Sequence, residues 1–349
     1  MLLTLASFIV TIGVIIIIHE IGHFTAARLT GMRVKRFSIG FPPTAISRKI
    51  GETEFALSWI PLGGYVQIAG MVDESLEEGG VTGAPDEFMS KNVWQKVFVL
   101  AAGVLMNYFV AFLIIAGLTA ATGIGELDGT TVGEALDGKP ALNAGVRAGD
   151  KITSVNGIKT ATWDDLIAAV STAGDSISLT LDRAGEAIAF RFATDMSGDG
   201  SQRRMIGIAP KVNIRSASAG EIITRGGVFC WATTVGIIDF FRGLATGESS
   251  LSQLAGPLGV AKLSGESARQ GSGAFLFFIA YVSVSIGFLN ILPVPALDGG
   301  HIVYAIIEAI IRRPISTKVK LWMQQIGMAL LLLLVVFVSY HDVLRIFSH

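Results

Sequence analysis

The stretch LLTLASFIVTIGVIIIIHEIGHF, residues 2–24, decides how this chain is read. From Leu2 to Ile18 it carries no charge, and with the turn that follows it meets the ~20 residues a bilayer-spanning helix needs. No Lys or Arg precedes the run and no small-x-small cleavage site follows it, so a retained span is expected rather than a cleaved signal peptide. The run ends on His19-Glu20-Ile21-Gly22-His23. In a helix His19 and His23 lie on one face, one turn apart, so both imidazoles can reach a single metal ion. Glu20 lies about a third of a turn round, placed to exchange a proton with water there. The bland alternative is a chance HExxH on a polar surface helix. It fits badly, because two His and a Glu at membrane depth are costly without a function.

The rest of the chain supports a polytopic α-helical membrane protein. Of 349 residues 51% are hydrophobic and only 16% charged, against a usual charged share of about 25%. The mean hydropathy is +0.59. Three further runs, at about 97–121, 273–292 and 321–340, can each cross a bilayer, giving about four transmembrane helices. The net charge of −1 offers no field for nucleic acid, and no nucleic-acid partner is expected. With Cys230 the one cysteine, a metal site must be built from His and carboxylate. Zn²⁺ suits two neutral imidazoles, a carboxylate and one open position.

Cations cluster in two segments. Residues 25–96 hold Arg28, Arg33, Lys35, Arg36, Arg48, Lys49, Lys91 and Lys96; the segment between the last two runs holds Arg312, Arg313, Lys318 and Lys320. Four spans put both segments on one side, and the positive-inside rule makes that side cytoplasmic. Both termini and the long central region are then extracytoplasmic. Within 25–96, the runs Glu54–Ile60 and Gly64–Ile68 predict a small antiparallel sheet near the membrane, and acidic, Gly-rich Asp73–Glu87 a mobile loop. Residues 125–211 read as one compact α/β domain, with strands at Lys151–Val155, Ser176–Leu181 and Ala187–Phe192 and a helix over Trp163–Ser171. Residues 212–272 are expected as amphipathic helices on or near the outer surface; whether 227–241 dips into lipid stays open.

A third metal ligand is needed. Asp298, in NILPVPALDGGH (residues 290–301), is the best candidate, because Pro293 and Pro295 bar a regular helix and extended backbone can bring it inward. His301 is the alternative ligand or a supporting group.

HExxH in the first span, paired with NxxPxPxLDGG beside a later one, resembles the site-2 protease family of intramembrane metalloproteases, in its bacterial RseP-type branch. Gly63-Gly64-Tyr65-Val66, Gly103-x-x-x-Asn107 and Gly256-Pro257-Leu258-Gly259-Val260-Ala261 extend the likeness over nearly the whole chain. The resemblance implies one catalytic zinc on His19, His23 and Asp298, with Glu20 as general base and later proton donor. It implies that Asn107 and Asn290 touch the substrate backbone or the oxyanion, and that strands near Gly64 and Tyr65 form a membrane-associated β-hairpin able to pair with unwound substrate. Residues 140–150 with Ile152-x-x-Val155-Asn156-Gly157 look like a circularly permuted bacterial PDZ domain, whose peptide groove is expected at Thr131, Val132 and Gly133. RseP-type members often have two such domains; one is read here.

By the same likeness, the chain lies in a bacterial inner membrane. Its partners are single-span substrates, such as anti-sigma factors or signal-peptide remnants, and an upstream site-1-type protease. A catalytically silent scaffold that binds peptide tails, and a metal transporter, are the competing classes. The intact HExxH and Asp298 motifs speak against the first, and the PDZ-like domain against the second.

Overall fold

The computed structural model describes residues 1–71, 82–196 and 204–347. The chain forms two compact units, one of 1–118 with 219–349 and one of 119–218.

The first unit is a helical bundle with a sheet against it. Its helices are α1 (Leu2–Leu29), α2 (Val93–Thr122, the last turn entering the second unit), α5 (Ala219–Thr246), α6 (Pro257–Gln270), α7 (Ser272–Ile291), α8 (Asp298–Ile311) and α9 (Thr317–Phe347). Among the described residues five of these are long and apolar enough to cross a membrane: α1, α2, α5, α7 and α9. Their faces toward lipid are apolar as well, with Leu105, Phe109, Phe277 and Leu333 all exposed. That is the pattern of helices solvated by hydrocarbon rather than water.

Packing sets the directions. His23 lies by Val99 while Ile15 and Ile114 share a cluster with Ile279, so α1 and α2 run antiparallel. Asn290 reaches His19, so α7 runs with α1. Thr11 and Ser264 hydroxyls meet at 3.1 Å, which places α6 near the start of α1. Asp342 near the end of α9 accepts N–H groups of Gly256 at 3.2 Å and Gly259 at 2.8 Å. The start of α1 and the end of α9 therefore lie at the same end of the bundle.

One expectation is corrected here. Where amphipathic surface helices were expected over residues 212–272, 219–246 forms a single helix of 28 residues, long and apolar enough to cross a membrane, followed by the separate helix α6. It packs against the bundle along one side, through Phe229 on Phe277 and the Tyr108 hydroxyl on Thr234, and leaves most of its apolar surface exposed. Asp239 and Arg242 lower its hydropathy to 1.4, against 2.1–2.5 for the other four, which is why composition hid it. It runs beside α7 in the same direction, from Phe229–Phe277 to Phe241–Phe288. Residues 247–256 then lead back to the end of the bundle where α1 begins.

β1 (Val34–Ile50) and β2 (Thr53–Ile68) form the expected sheet beside α1. Val34–Ile39 pairs with Ile68–Gly64, and Thr44–Ile50 with Ser58–Thr53. Of the stretch expected as a mobile loop, 73–81 lies outside the described residues. Its end is fixed: buried Glu87 accepts N–H from Thr82 and Gly83, and the Thr82 hydroxyl at 2.7 Å.

The second unit holds β3 (Ile124–Ala135), α3 (Pro140–Ala144), β4 (Lys151–Val155), β5 (Ile158–Lys159), α4 (Trp163–Ser171), β6 (Ser176–Arg183), β7 (Glu186–Ala193), β8 (Asp195–Met196), β9 (Arg204–Met205) and β10 (Ile208–Arg215). The main sheet has the order β10-β3-β4-β6-β7, with β5 on β4. Alternation on β6 buries Ile177, Leu179 and Leu181 against Leu166 and Trp163 of α4. Asp165 closes a capping box with Thr162 at the start of α4.

The sheet order overturns the expected peptide groove. Thr131, Val132 and Gly133 lie on β3, which is interior: Val132 bonds Asp150 and Gly149 on one side and pairs with Pro210 on the other. A strand satisfied on both edges cannot add a peptide. The open edges of this sheet are β10 and β7.

Candidate active site

The helical phase of α1 turns His19 and His23 to one buried face, with Nε2 atoms 3.1 Å apart. His23 Nδ1 lies 2.8 Å from the Val99 carbonyl on α2. A carbonyl can only accept, so Nδ1 carries the proton and the Nε2 lone pair is left for a metal. The approach of α2 is possible because residue 103 is glycine; a Cβ there would lie 2.5 Å from His23 Nε2 and 2.6 Å from His19 Cε1.

Asp298 is the first residue of α8. Residues 292–297, with Pro293 and Pro295, break the chain out of α7 and re-aim it. The glycines after it fit tightly: a Cβ on Gly299 would strike the Ile291 and Leu292 carbonyls. The Asp298 carboxylate thereby sits with Oδ2 3.0 Å from His19 Nε2 and Oδ1 3.4 Å from His23 Nε2. Oδ2 is buried and, despite its proximity to His19, has no hydrogen bond of good geometry.

The two Nε2 atoms and the carboxylate oxygens nearest each of them thus lie 3.0–3.4 Å apart. Ligands of tetrahedral zinc at ~2.0–2.1 Å stand about 3.3 Å apart, so the donor set fits the ion. His19, His23 and Asp298 are the one group of three such side chains among the described residues. His301, the alternative ligand, is not in it; its ring stands against Tyr304 on the next turn of α8.

The two asparagines stand on opposite sides of His19. Asn290 Nδ2 lies 3.4 Å from Nε2, the nitrogen that faces the metal position. Asn107, fully buried, lies 3.4 Å from Nδ1 on the far side. Its Oδ1 has no partner as placed. Exchanging amide O and N, which share one shape, lets His19 Nδ1–H donate to Oδ1. Asn107 is thus placed to orient an imidazole, whereas Asn290 faces the reacting side.

Half-buried Glu20 lies beside the Val66 backbone and below Gly64, where a Cβ would come within 3.2 Å of its Cγ. Tyr65 points to the other face of the strand: it is buried on Phe41, and its hydroxyl accepts from Arg36 at 3.2 Å. Its side chain therefore does not face Glu20. Sequence reasoning missed the Val99 carbonyl, since a backbone acceptor leaves no residue signal. Gly103 entered only as part of a motif with Asn107, whereas its empty side houses two imidazoles.

A bundle of long apolar helices enclosing two imidazoles, a carboxylate and an adjacent Glu defines a membrane zinc metalloprotease. The model of Peptidase family M50 matches residues 7–334, and the chain belongs to that family, the site-2 proteases. A candidate zinc metalloprotease of Rhizobium meliloti (strain 1021) is 32% identical over 99% of this chain and 97% of its own. One of Agrobacterium fabrum is 34% identical over 97% and 95%. One of Clostridium perfringens is 30% identical over 95% of each. Among solved structures, the PDZ domain of an SdrC-like protein from Listeria monocytogenes covers 24% of this chain and 90% of its own. It has 22% identity and a TM-score of 0.22, too loose to add to the sheet order itself.

Proposed function

We propose that this zinc protease cuts within the membrane-spanning segments of single-span proteins, using one zinc ion on His19, His23 and Asp298. The observation that carries the reading is the convergence of those three side chains and Glu20 inside a bundle of apolar helices. A peptide bond in a spanning helix is shielded by its own hydrogen bonds and by lipid, so substrate must unwind where polar groups line the site. Zinc, when bound, polarises the scissile carbonyl and makes water a stronger nucleophile. Glu20 takes a proton from the attacking water and returns it to the leaving nitrogen. Asn290 donates to the carbonyl oxygen as charge builds on it. Asn107 holds His19 in its ligating tautomer. Unwound substrate pairs with β2 near Gly64, whose missing side chain keeps that strand within reach of Glu20.

The cationic ends of α2, α8 and α9 support a cytoplasmic placement of that end, with both termini and the second unit outside a bacterial inner membrane. Peptide recognition by the PDZ-like second unit belongs on the open edge β10 rather than on β3. Substrates shortened by an upstream protease, among them anti-sigma factors or signal-peptide remnants, fit a site closed in by helices.

The test is cleavage of a tagged single-span substrate by the purified chain and by Glu20→Gln, with and without a zinc chelator. Cleavage should fall by about 10²–10⁴-fold in the variant at unchanged zinc content, and vanish with chelator. Equal cleavage by the variant, or a wild-type protein without zinc, would sink the reading and favour a scaffold.

A further inference from the structure

A second polar site lies away from the zinc ligands. The start of α2, the end of α8 and the start of α9 enclose a cavity of about 620 Å³. Lys91, Lys96, Arg312, Arg313 and Lys320 line it, with Glu308 as the one carboxylate. Glu308 is engaged: it pairs with Lys320 at 2.6 Å and accepts the Ile315 N–H at 2.9 Å. Among the described residues none of Lys91, Lys96, Arg312 and Arg313 forms an ion pair. Lys96 is buried, 9% exposed, with the Phe88 ring 5.7 Å from its ammonium. Glu308 is the one carboxylate near Lys96 and is already paired with Lys320, so five cations face a single engaged carboxylate and the wall is short of negative charge. Scattered cations at a membrane surface would snorkel to water; these converge from three helices on one space.

The depth of the cavity identifies the ligand. Trp94 in the first turn of α2 and Trp322 in the second turn of α9, close in sequence to the lining residues Val93 and Lys320, are 78% and 62% exposed. Exposed Trp at helix ends marks the lipid headgroup level. A smaller cavity shares Glu308 and Lys320 and leads inward past Tyr304 to His301, one turn after Asp298. The Tyr304 hydroxyl there is buried and has no partner.

We propose that this cavity binds the phosphate of an anionic phospholipid headgroup, joining α8, which carries Asp298, to α2 and α9. Basic pockets between helices at the headgroup level take such ligands. The inference rests on the membrane placement of the chain and not on its proteolytic reading.

The experiment uses the full chain in mixed micelles of phosphatidylglycerol and phosphatidylcholine with the same acyl chains. Native mass spectrometry counts the lipid retained. The wild type should keep phosphatidylglycerol over phosphatidylcholine by about tenfold, roughly the 1.4 kcal/mol of one added charge contact in a cavity. That preference should approach unity in Lys96→Met and in Arg312→Gln/Arg313→Gln, whose altered arginines are exposed and leave the helices intact. It should persist in Arg48→Gln/Lys49→Gln, on β1. Zinc content reports folding throughout. If inorganic phosphate displaces the lipid with the same variant dependence, the site takes soluble phosphates too; if it does not, the headgroup is the ligand. Equal retention of the two lipids by wild type, or a preference that survives both cavity variants, overturns the proposal.

Discussion

At the scale of single residues, the two asparagines around His19 separate into different kinds of support. Asn107 touches only the far nitrogen, so Asn107→Ala should lower zinc affinity about 10–100-fold, read by competition with a chromophoric chelator. Asn290 faces the reacting side, so Asn290→Ala should leave zinc affinity alone and lower kcat about 10²–10³-fold, as for lost oxyanion donors. The motifs named both residues as substrate contacts and could not tell them apart. The distinction lies in which imidazole nitrogen each amide meets, and that depends on α1, α2 and α7 packing at one register. That His19, His23 and Asp298 lie together was legible, because a two-His helix needs a carboxylate and Asp298 follows an apolar run broken by Pro293 and Pro295. Tyr65 was less so: neighbouring residues on a strand face opposite ways, and only pairing with β1 reveals that Gly64, and not Tyr65, faces Glu20.

At the scale of elements, α6 has little apolar surface of its own and is held by polar contacts at both sides. Asp342 is 2% exposed and caps its first N–H groups. Asp342→Ala should therefore destabilise the bundle by about 1–3 kcal/mol, the cost of leaving buried donors unmet, seen as a lower unfolding midpoint of the purified chain. The long apolar helices and α4 were readable from length and period. α5 was not, since two charged residues near its end masked its apolar run. β3 was hidden too, because its Gly-rich sequence shows no alternation and its pairing partner β10 lies some seventy residues on. That pairing is what moved the expected groove off Thr131–Gly133.

At the scale of the whole molecule, the two units carry different chemistry and should respond differently to acid. In the second unit, burial of Asp150 opposes its ionisation. The ion pair to Arg183 at 2.7 Å and the Arg147 N–H outweigh this and hold its pKa below the ordinary value. A depressed carboxylate stabilises the fold above its unfolded pKa, ~3.9, and that gain disappears as pH falls through the lower folded value. Calorimetry of the full chain should show the second unit's transition steady near pH 5–6 and falling below about pH 4. Asp150→Asn should melt lower at pH 6 and lose that slope. A slope unchanged in the variant would place the acid sensitivity elsewhere.

The zinc triangle also has a consequence in time. His19 and His23 stand on α1 and Asp298 on α8, 275 positions after His23. Whatever the ribosome has released before α8 holds two imidazoles and no carboxylate to complete them. The nascent chain can thread its first helices among other membrane proteins while still unable to cut them, and the blade is finished only once α8 has emerged.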